Sequence, residues 1–121
     1  MDEHAAVDVG LVARWAETFN TDVERMITEL YAPDCSFSGV QLGHEKLRKF
    51  ELRVLAAAPR RTIHVEQTHS AGDVVTVEGV LLDPDRGDEW RLAFCAVLTW
   101  RDGKVVRDNT YADMSRWPGV S

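Results

Sequence analysis

Three polar side chains alternate near the end of the chain, Asn109, Tyr111 and Asp113, and a spacing of two is that of one face of a β-strand. Upstream, Trp90, Leu92, Phe94, Ala96, Leu98 and Trp100 keep the same period. Between the two runs lies Asp102-Gly103, a strong signal for a two-residue hairpin. A hairpin closed there sets Trp100 opposite Val105, then Leu98 opposite Arg107, Ala96 opposite Asn109, Phe94 opposite Tyr111 and Leu92 opposite Asp113. The apolar row is too hydrophobic to face water, so this register turns the polar row toward the interior. Desolvation raises the pKa of a carboxyl into the range useful for proton transfer. Asp113 is therefore the first candidate general acid/base. The competing reading places it past the end of the strand, capping a turn or meeting water. Tyr111 is either an oxyanion donor or a core ring whose hydroxyl is satisfied at the pocket edge, and Asn109 either lines the pocket or bonds to backbone.

A second hairpin brings in His64. If Gly72-Asp73 forms a two-residue turn, His64 opposes Leu81, Glu66 opposes Gly79 and Thr68 opposes Val77. His64 is then a conditional pocket member, set against the ordinary reading of a surface histidine. His4 and His69 read as surface residues and His44 as a helix-start residue. The register of Glu78 is not fixed by the sequence. Cys95 falls on the face opposite the apolar row, with no base assured beside it. Phosphate-binding glycine loops, His/Glu metal motifs and nucleophile elbows do not occur in the sequence.

The elements that must position these residues follow from periodicity. Val12, Trp15, Ala16 and Phe19 form the stripe of a first helix starting at Asp8 as N-cap. Thr21 and Glu24 fit a capping box for a second helix, with Val23, Met26, Ile27, Leu30 and Tyr31 on one face and Pro33 beyond its end. Cys35 to Ser38 is a short strand candidate. Gly43 to Ala58 gives a third helix with Leu47, Phe50, Val54 and Leu55 on its apolar face. After Pro59 the period drops to two, and turn signals divide the remainder into strands at Arg61 to Ser70, Asp73 to Leu82, Glu89 to Trp100 and Lys104 to Met114. Helices followed by a meander predict an α+β fold, with the helices on one face of a curved antiparallel sheet. Trp117 to Ser121 reads as a loose tail.

The 121 residues suit a single domain, 1–121 with its core over about 9–114. At that length roughly 65–70% of the unfolded surface can be buried without staples or metals. Cys35 and Cys95 are too few for a disulfide framework, which points to a reducing, cytoplasmic location. The acidic start Met1-Asp-Glu-His carries no secretory pattern, and no window approaches a membrane span. Fourteen Lys and Arg against twenty Asp and Glu give a net charge of -6 and a pI near 5.1. That sign opposes nucleic-acid binding.

The segments Trp15-Ala-Glu-Thr-Phe-Asn20, Leu30-Tyr-Ala-Pro-Asp34 and Asp102-Gly-Lys-Val-Val-Arg-Asp-Asn-Thr-Tyr-Ala-Asp113, set in this element order, resemble the NTF2-like superfamily. Within it the chain is most similar to the SnoaL-like polyketide cyclases, with limonene-epoxide hydrolases and ketosteroid isomerases as relatives, over Val9 to about Met114. The resemblance implies a conical α+β barrel, open at one end, with a hydrophobic cavity between sheet and helices and a homodimer through the outer sheet face. It also implies an acid/base role for the aspartate of a Tyr-x-Asp ending, matched by Tyr111-Ala-Asp113. Against ketosteroid isomerases, the chain has Trp15 at the helix-one tyrosine, and about Gly39 and Ala96 at the two aspartates. Against epoxide hydrolases, Gly79 and Leu81 replace an Arg-x-Asp pair. Both specific chemistries are thereby disfavoured.

The leading expectation is a small enzyme without a cofactor or metal, acting on a hydrophobic carbonyl compound by cyclisation, isomerisation or dehydration. Asp113, Tyr111 and His64 supply the catalytic set, and Trp15, Phe19, Leu92, Phe94, Leu98 and Asn109 contact the substrate. The alternative is a non-catalytic binding or interaction module on the same fold. A cavity of roughly 300 Å³ or more exposing the Asp113 carboxylate would separate the two. A third reading, association through the outer face, assigns Arg91, Cys95, Thr99, Asp108 and Thr110 to that face.

Overall fold

The computed structural model describes residues 9–120. The expected cap Asp8 and the surface residue His4 lie outside the described residues, as does Ser121. Helix α1 spans Val9–Thr21 and α2 Val23–Leu30, with strand β1 (Tyr31–Phe37), the short strand β2 (Val40–Gln41) and helix α3 (Gly43–Ala57) after them. Strands β3 (Thr62–Ala71), β4 (Val74–Leu82), β5 (Arg91–Arg101) and β6 (Lys104–Ala112) complete the chain. The α+β class, the three helices and the strands after Pro59 agree with the sequence reading.

Local chemistry explains most boundaries. Asp22, rather than Thr21, caps α2, its carboxylate accepting from the Arg25 amide. Thr21 instead donates to the Glu17 carbonyl as the last residue of α1. The α2 stripe Val23, Met26, Ile27 and Leu30 is buried. At the end of α1 the Asn20 side chain both donates to the Ile63 carbonyl and accepts from the Ile63 amide, tying the helix to β3.

The strands form one curled sheet in the order β2-β1-β6-β5-β4-β3. It is mixed rather than wholly antiparallel, because β1 runs parallel to β6. The Asp102-Gly103 turn forms as expected between Arg101 and Lys104, with positive φ at both residues (54° and 77°), as a type I′ turn demands. Along β5, Leu92, Phe94, Ala96, Leu98 and Trp100 face the helices and are buried.

Two bulges change what lies opposite. In β6 the pairing steps from Trp100↔Val105 to Thr99↔Arg107, leaving Val106 as an extra residue. In β3 it steps from Gln67↔Glu78 to Val65↔Gly79, leaving Glu66 extra. One extra residue exchanges the two faces of everything beyond it. Asp108 now faces Leu98 and Thr110 faces Ala96, while Asn109 and Tyr111 turn outward. Ile63 and Val65 turn inward and His64 outward. The expected outer-face positions of Asp108 and Thr110 are corrected by the same shift.

The segment after β6 is not a loose tail. Trp117 is buried with its ring edge-on to Phe94 at 6.2 Å. Gly119, at φ +80°, lies so close to α3 that a Cβ there would stand 2.7 Å from the Arg53 carbonyl oxygen.

Candidate active site

Inside the cone a polar chain crosses an otherwise apolar core. Trp15, on the buried stripe of α1, donates from Nε1 to the Tyr31 hydroxyl at 3.0 Å. Tyr31, placed where α2 passes into β1, donates to Asp108 Oδ2 at 2.6 Å. Thr110, two residues along β6 on the same face, donates to Asp108 Oδ1 at 2.6 Å. Both hydroxyl contacts have the short length of bonds to an ionised acceptor. Burial pushes the Asp108 carboxyl above its ordinary range, while the Thr110 and Tyr31 hydroxyls pull it back. Burial, together with the charge of Asp108, drives the Tyr31 phenol well upward, so the proton stays on Tyr31.

A second carboxyl enters from α3. Glu51 falls on the buried stripe with Leu47 and Val54 and is only 5% exposed. It has no hydrogen-bond or ion-pair partner among the described residues. Burial, then the Asp108 charge, raise its pKa to about 8, and Arg61 opposes the rise. Arg61 itself is buried, donates to the Phe19 carbonyl at 2.8 Å and lies over the Phe19 ring at 4.3 Å. At neutral pH Glu51 thus holds its proton, while Asp108, raised by burial, accepts from two hydroxyls that favour its charged form.

Both carboxyls border one cavity, walled mainly by Trp15, Phe19, Tyr31, Phe94, Met114 and Trp117. Its free volume is about 30 Å³, room for about two water molecules. This is well below the 300 Å³ or so set as the mark of a formed substrate site. Phe37 and Phe50, both half-buried like Met114, also line it. Among the described residues no group of three or more His, Cys, Asp or Glu side chains could hold a metal, and no helix is long and apolar enough to cross a membrane.

The expected site residues separate. Trp15, Phe19 and Phe94 line the cavity; Leu92 and Leu98 are core residues outside its wall. Asp113 is exposed, its Oδ1 accepting from the Ser115 amide and hydroxyl at 3.2 and 2.6 Å, which is the turn-capping alternative. Tyr111 is 63% exposed on the outer face. Asn109 is half-buried there, and His64 is exposed. Register arithmetic missed Asp108, Tyr31 and Glu51 as site residues. Glu51 left one trace, a carboxylate at helical spacing between Leu47 and Val54. Gly79 has no room for the arginine of epoxide hydrolases: even a Cβ would lie 2.5 Å from the His64 carbonyl oxygen and 2.9 Å from the Phe94 ring.

Solved structures of the same architecture are numerous. A loop-truncation variant of IdmH, from Streptomyces antibioticus, superposes with a TM-score of 0.80 at 21% identity, covering 90% of this chain and 94% of that one. A protein with a ketosteroid isomerase-like fold from Catenulispora acidiphila, solved with trimethylamine, gives 0.76 at 22% identity, covering 92% and 91%. A protein assigned as a SnoaL-like polyketide cyclase, from Jannaschia, gives 0.77 at 20% identity, covering 95% and 91%. These likenesses show the fold, an α+β cone of the ketosteroid isomerase-like kind. No curated protein matches the chain in sequence. The model of the SnoaL-like domain matches residues 12–108, from the first helix to the aspartate on the last strand, and the chain belongs to that family.

Proposed function

We propose that the protein is a small acid/base enzyme acting on a hydrophobic carbonyl compound, with the reaction centred on Asp108 and Glu51. One observation carries the proposal: two buried carboxyl groups, neither within ion-pair distance of a cation among the described residues although Arg61 acts on Glu51 from farther off, border the same apolar cavity. Burying a carboxyl without a direct ion pair costs several kcal/mol, and a core built for stability alone would place apolar groups there. Environments that push two titratable groups toward different protonation states assign an acid and a base. The Asp108 carboxylate, oriented by Tyr31 and Thr110, takes a proton from the carbon next to the carbonyl. The C–H electron pair forms the enolate double bond, and the carbonyl oxygen gains the negative charge. Glu51, protonated at neutral pH, donates a hydrogen bond or its proton to that oxygen. For a substrate to bind, Phe37, Phe50 and Met114 must shift outward.

Hydrogen–deuterium exchange tests this on simple carbonyl compounds in place of the natural substrate. A panel of hydrophobic ketones and β-keto esters in D₂O, followed by proton NMR, should show enzyme-dependent exchange next to the carbonyl, lost in Asp108→Asn and retained in Asp113→Asn. Equal exchange by Asp108→Asn and the parent protein refutes the assignment.

The small free volume favours a second reading, a module whose cavity is filled by its own side chains; absence of exchange across the panel is its signature. We further propose a homodimer through the outer sheet face, where Tyr111 is exposed beside half-buried Cys95 and Val97. Sedimentation showing only a monomer at high micromolar concentration would overturn it. The free thiols of Cys35 and Cys95 support a reducing, cytoplasmic setting.

A further inference from the structure

One buried cation stands outside the chemistry of Asp108 and Glu51. Arg61 immediately precedes β3, and it is only 2% exposed. A terminal nitrogen donates to the Phe19 carbonyl at 2.8 Å, and the guanidinium lies over the Phe19 ring at 4.3 Å. Phe19 lines the cavity and Arg61 does not, so the cation stands one layer behind the wall. Its Nε is buried with no hydrogen-bond partner among the described residues. Burying a guanidinium without a direct ion pair is costly, and an apolar side chain would pack against Phe19 without that cost.

Glu51 is the counterpart. It is the carboxyl whose charge acts on Arg61, and Arg61 is the cation whose charge acts on it. The other titratable groups turned toward Glu51 are the Asp108 carboxyl from β6, whose charge opposes ionisation of Glu51, and the Tyr31 phenol from β1, which keeps its proton. Strand β1 also buries the Cys35 thiol, which burial holds uncharged. On α3 itself His44 bonds to the Tyr31 carbonyl and Arg48 pairs with Glu24. Helices α1 and α2 and the segment after β6 present only Trp15, Phe19, Met26, Met114 and Trp117 to the cavity.

Enolisation by Asp108 and Glu51 moves one negative charge. As the C–H proton passes to Asp108 and the Glu51 proton to the carbonyl oxygen, the O–H electron pair stays on Glu51. A carboxylate disappears at Asp108 and another forms at Glu51. Tyr31 and Thr110 hold the first charge; no hydroxyl or amide among the described residues holds the second. We infer that Arg61 is a positioning residue for this step, a fixed cation behind Phe19 that stabilises the negative charge when it reaches Glu51. The inference rests on the reading of Asp108 and Glu51 as the reacting pair. A cation at one remove suits the role, because in direct contact it would ionise Glu51 in the resting protein and take away the proton to be donated.

The test follows the Arg61 side chain by NMR in the full chain labelled with nitrogen-15, its Nε–H signal assigned by contacts to the Phe19 ring protons. That signal should titrate with a midpoint near 8, as Glu51 ionises, and stay flat in Glu51→Gln. In Arg61→Met the alkaline limb of the carbonyl-adjacent exchange should rise by about one pH unit, and Arg61→Lys should bring most of it back. A clamp on Phe19 alone would alter stability and leave the limb in place. An Nε signal that does not titrate, or a limb unmoved in Arg61→Met, overturns this inference alone, with exchange still lost in Asp108→Asn. Should Arg61→Met fail to fold, the Nε titration in the parent protein decides. No exchange in the parent protein overturns the inference together with the reaction it serves.

Discussion

Replacing Glu51 with glutamine keeps the shape of the side chain and removes its proton. In the folded protein Glu51 titrates near 8, against 4.5 for an ordinary glutamate, because it is buried near the Asp108 charge. The unfolded chain releases that proton near 4.5 and the folded chain keeps it to about 8, so this stabilisation is complete below 4.5 and is lost as the pH rises to 8. At roughly 1.36 kcal/mol per pH unit, the displacement corresponds to about 5 kcal/mol across the window. Glu51→Gln has no proton to lose there. Urea unfolding of both proteins between pH 4.5 and 8.5, followed by tryptophan fluorescence, isolates the effect, because every other titrating group is common to both. The stability of the variant relative to the parent should climb by about 3 kcal/mol between pH 4.5 and 7 and level off above 8. A difference that stays flat across that range would mean that Glu51 titrates as a solvated side chain, and its role as the proton-holding acid would fall with it.

Tyr31→Phe removes one of the two hydroxyls on Asp108 and leaves the Trp15 Nε1 without its acceptor; it should destabilise the protein by about 2–4 kcal/mol in urea unfolding, and a loss below 0.5 kcal/mol would contradict the charge-bearing network. Asp113→Ala loses only the turn contacts to Ser115, so it should cost about 1 kcal/mol or less and leave carbonyl-adjacent exchange unchanged; a lost reaction would restore Asp113 to the site. The exchange rate should be bell-shaped in pH, falling on the acid side as Asp108 takes up a proton and on the alkaline side through about 8 as Glu51 loses its own. In Glu51→Gln the alkaline limb should disappear, and its persistence would assign that limb to another group.

The helices, the later strands, the Asp102-Gly103 turn and the inward row from Leu92 to Trp100 are legible because each rests on local physics: periodicity, capping and a dipeptide that accepts positive φ. The same locality is why the catalytic register failed. Counting by twos from the turn holds only until an extra residue enters a strand, and neither Val106 nor Glu66 differs in type from residues that pair regularly. The bulge in β6 exchanged Asn109 and Tyr111 for Asp108 and Thr110 on the inner face, and the bulge in β3 removed His64 from it. Asp113 gave no warning either, since a carboxylate two residues before a serine fits a strand end as well as a turn cap.

The amino-acid order alone therefore determined the α+β cone, its core and the family resemblance, all of which depend on apolar pattern averaged over many residues. Only the folded arrangement decided which carboxyls are buried. Tyr31, Glu51 and Asp108 come from three different elements, and the contact between Tyr31 and Asp108 spans 77 positions of sequence. No local period encodes such a meeting; it is set by sheet order, parallel pairing of β1 with β6, and one unpaired residue that turns a strand over.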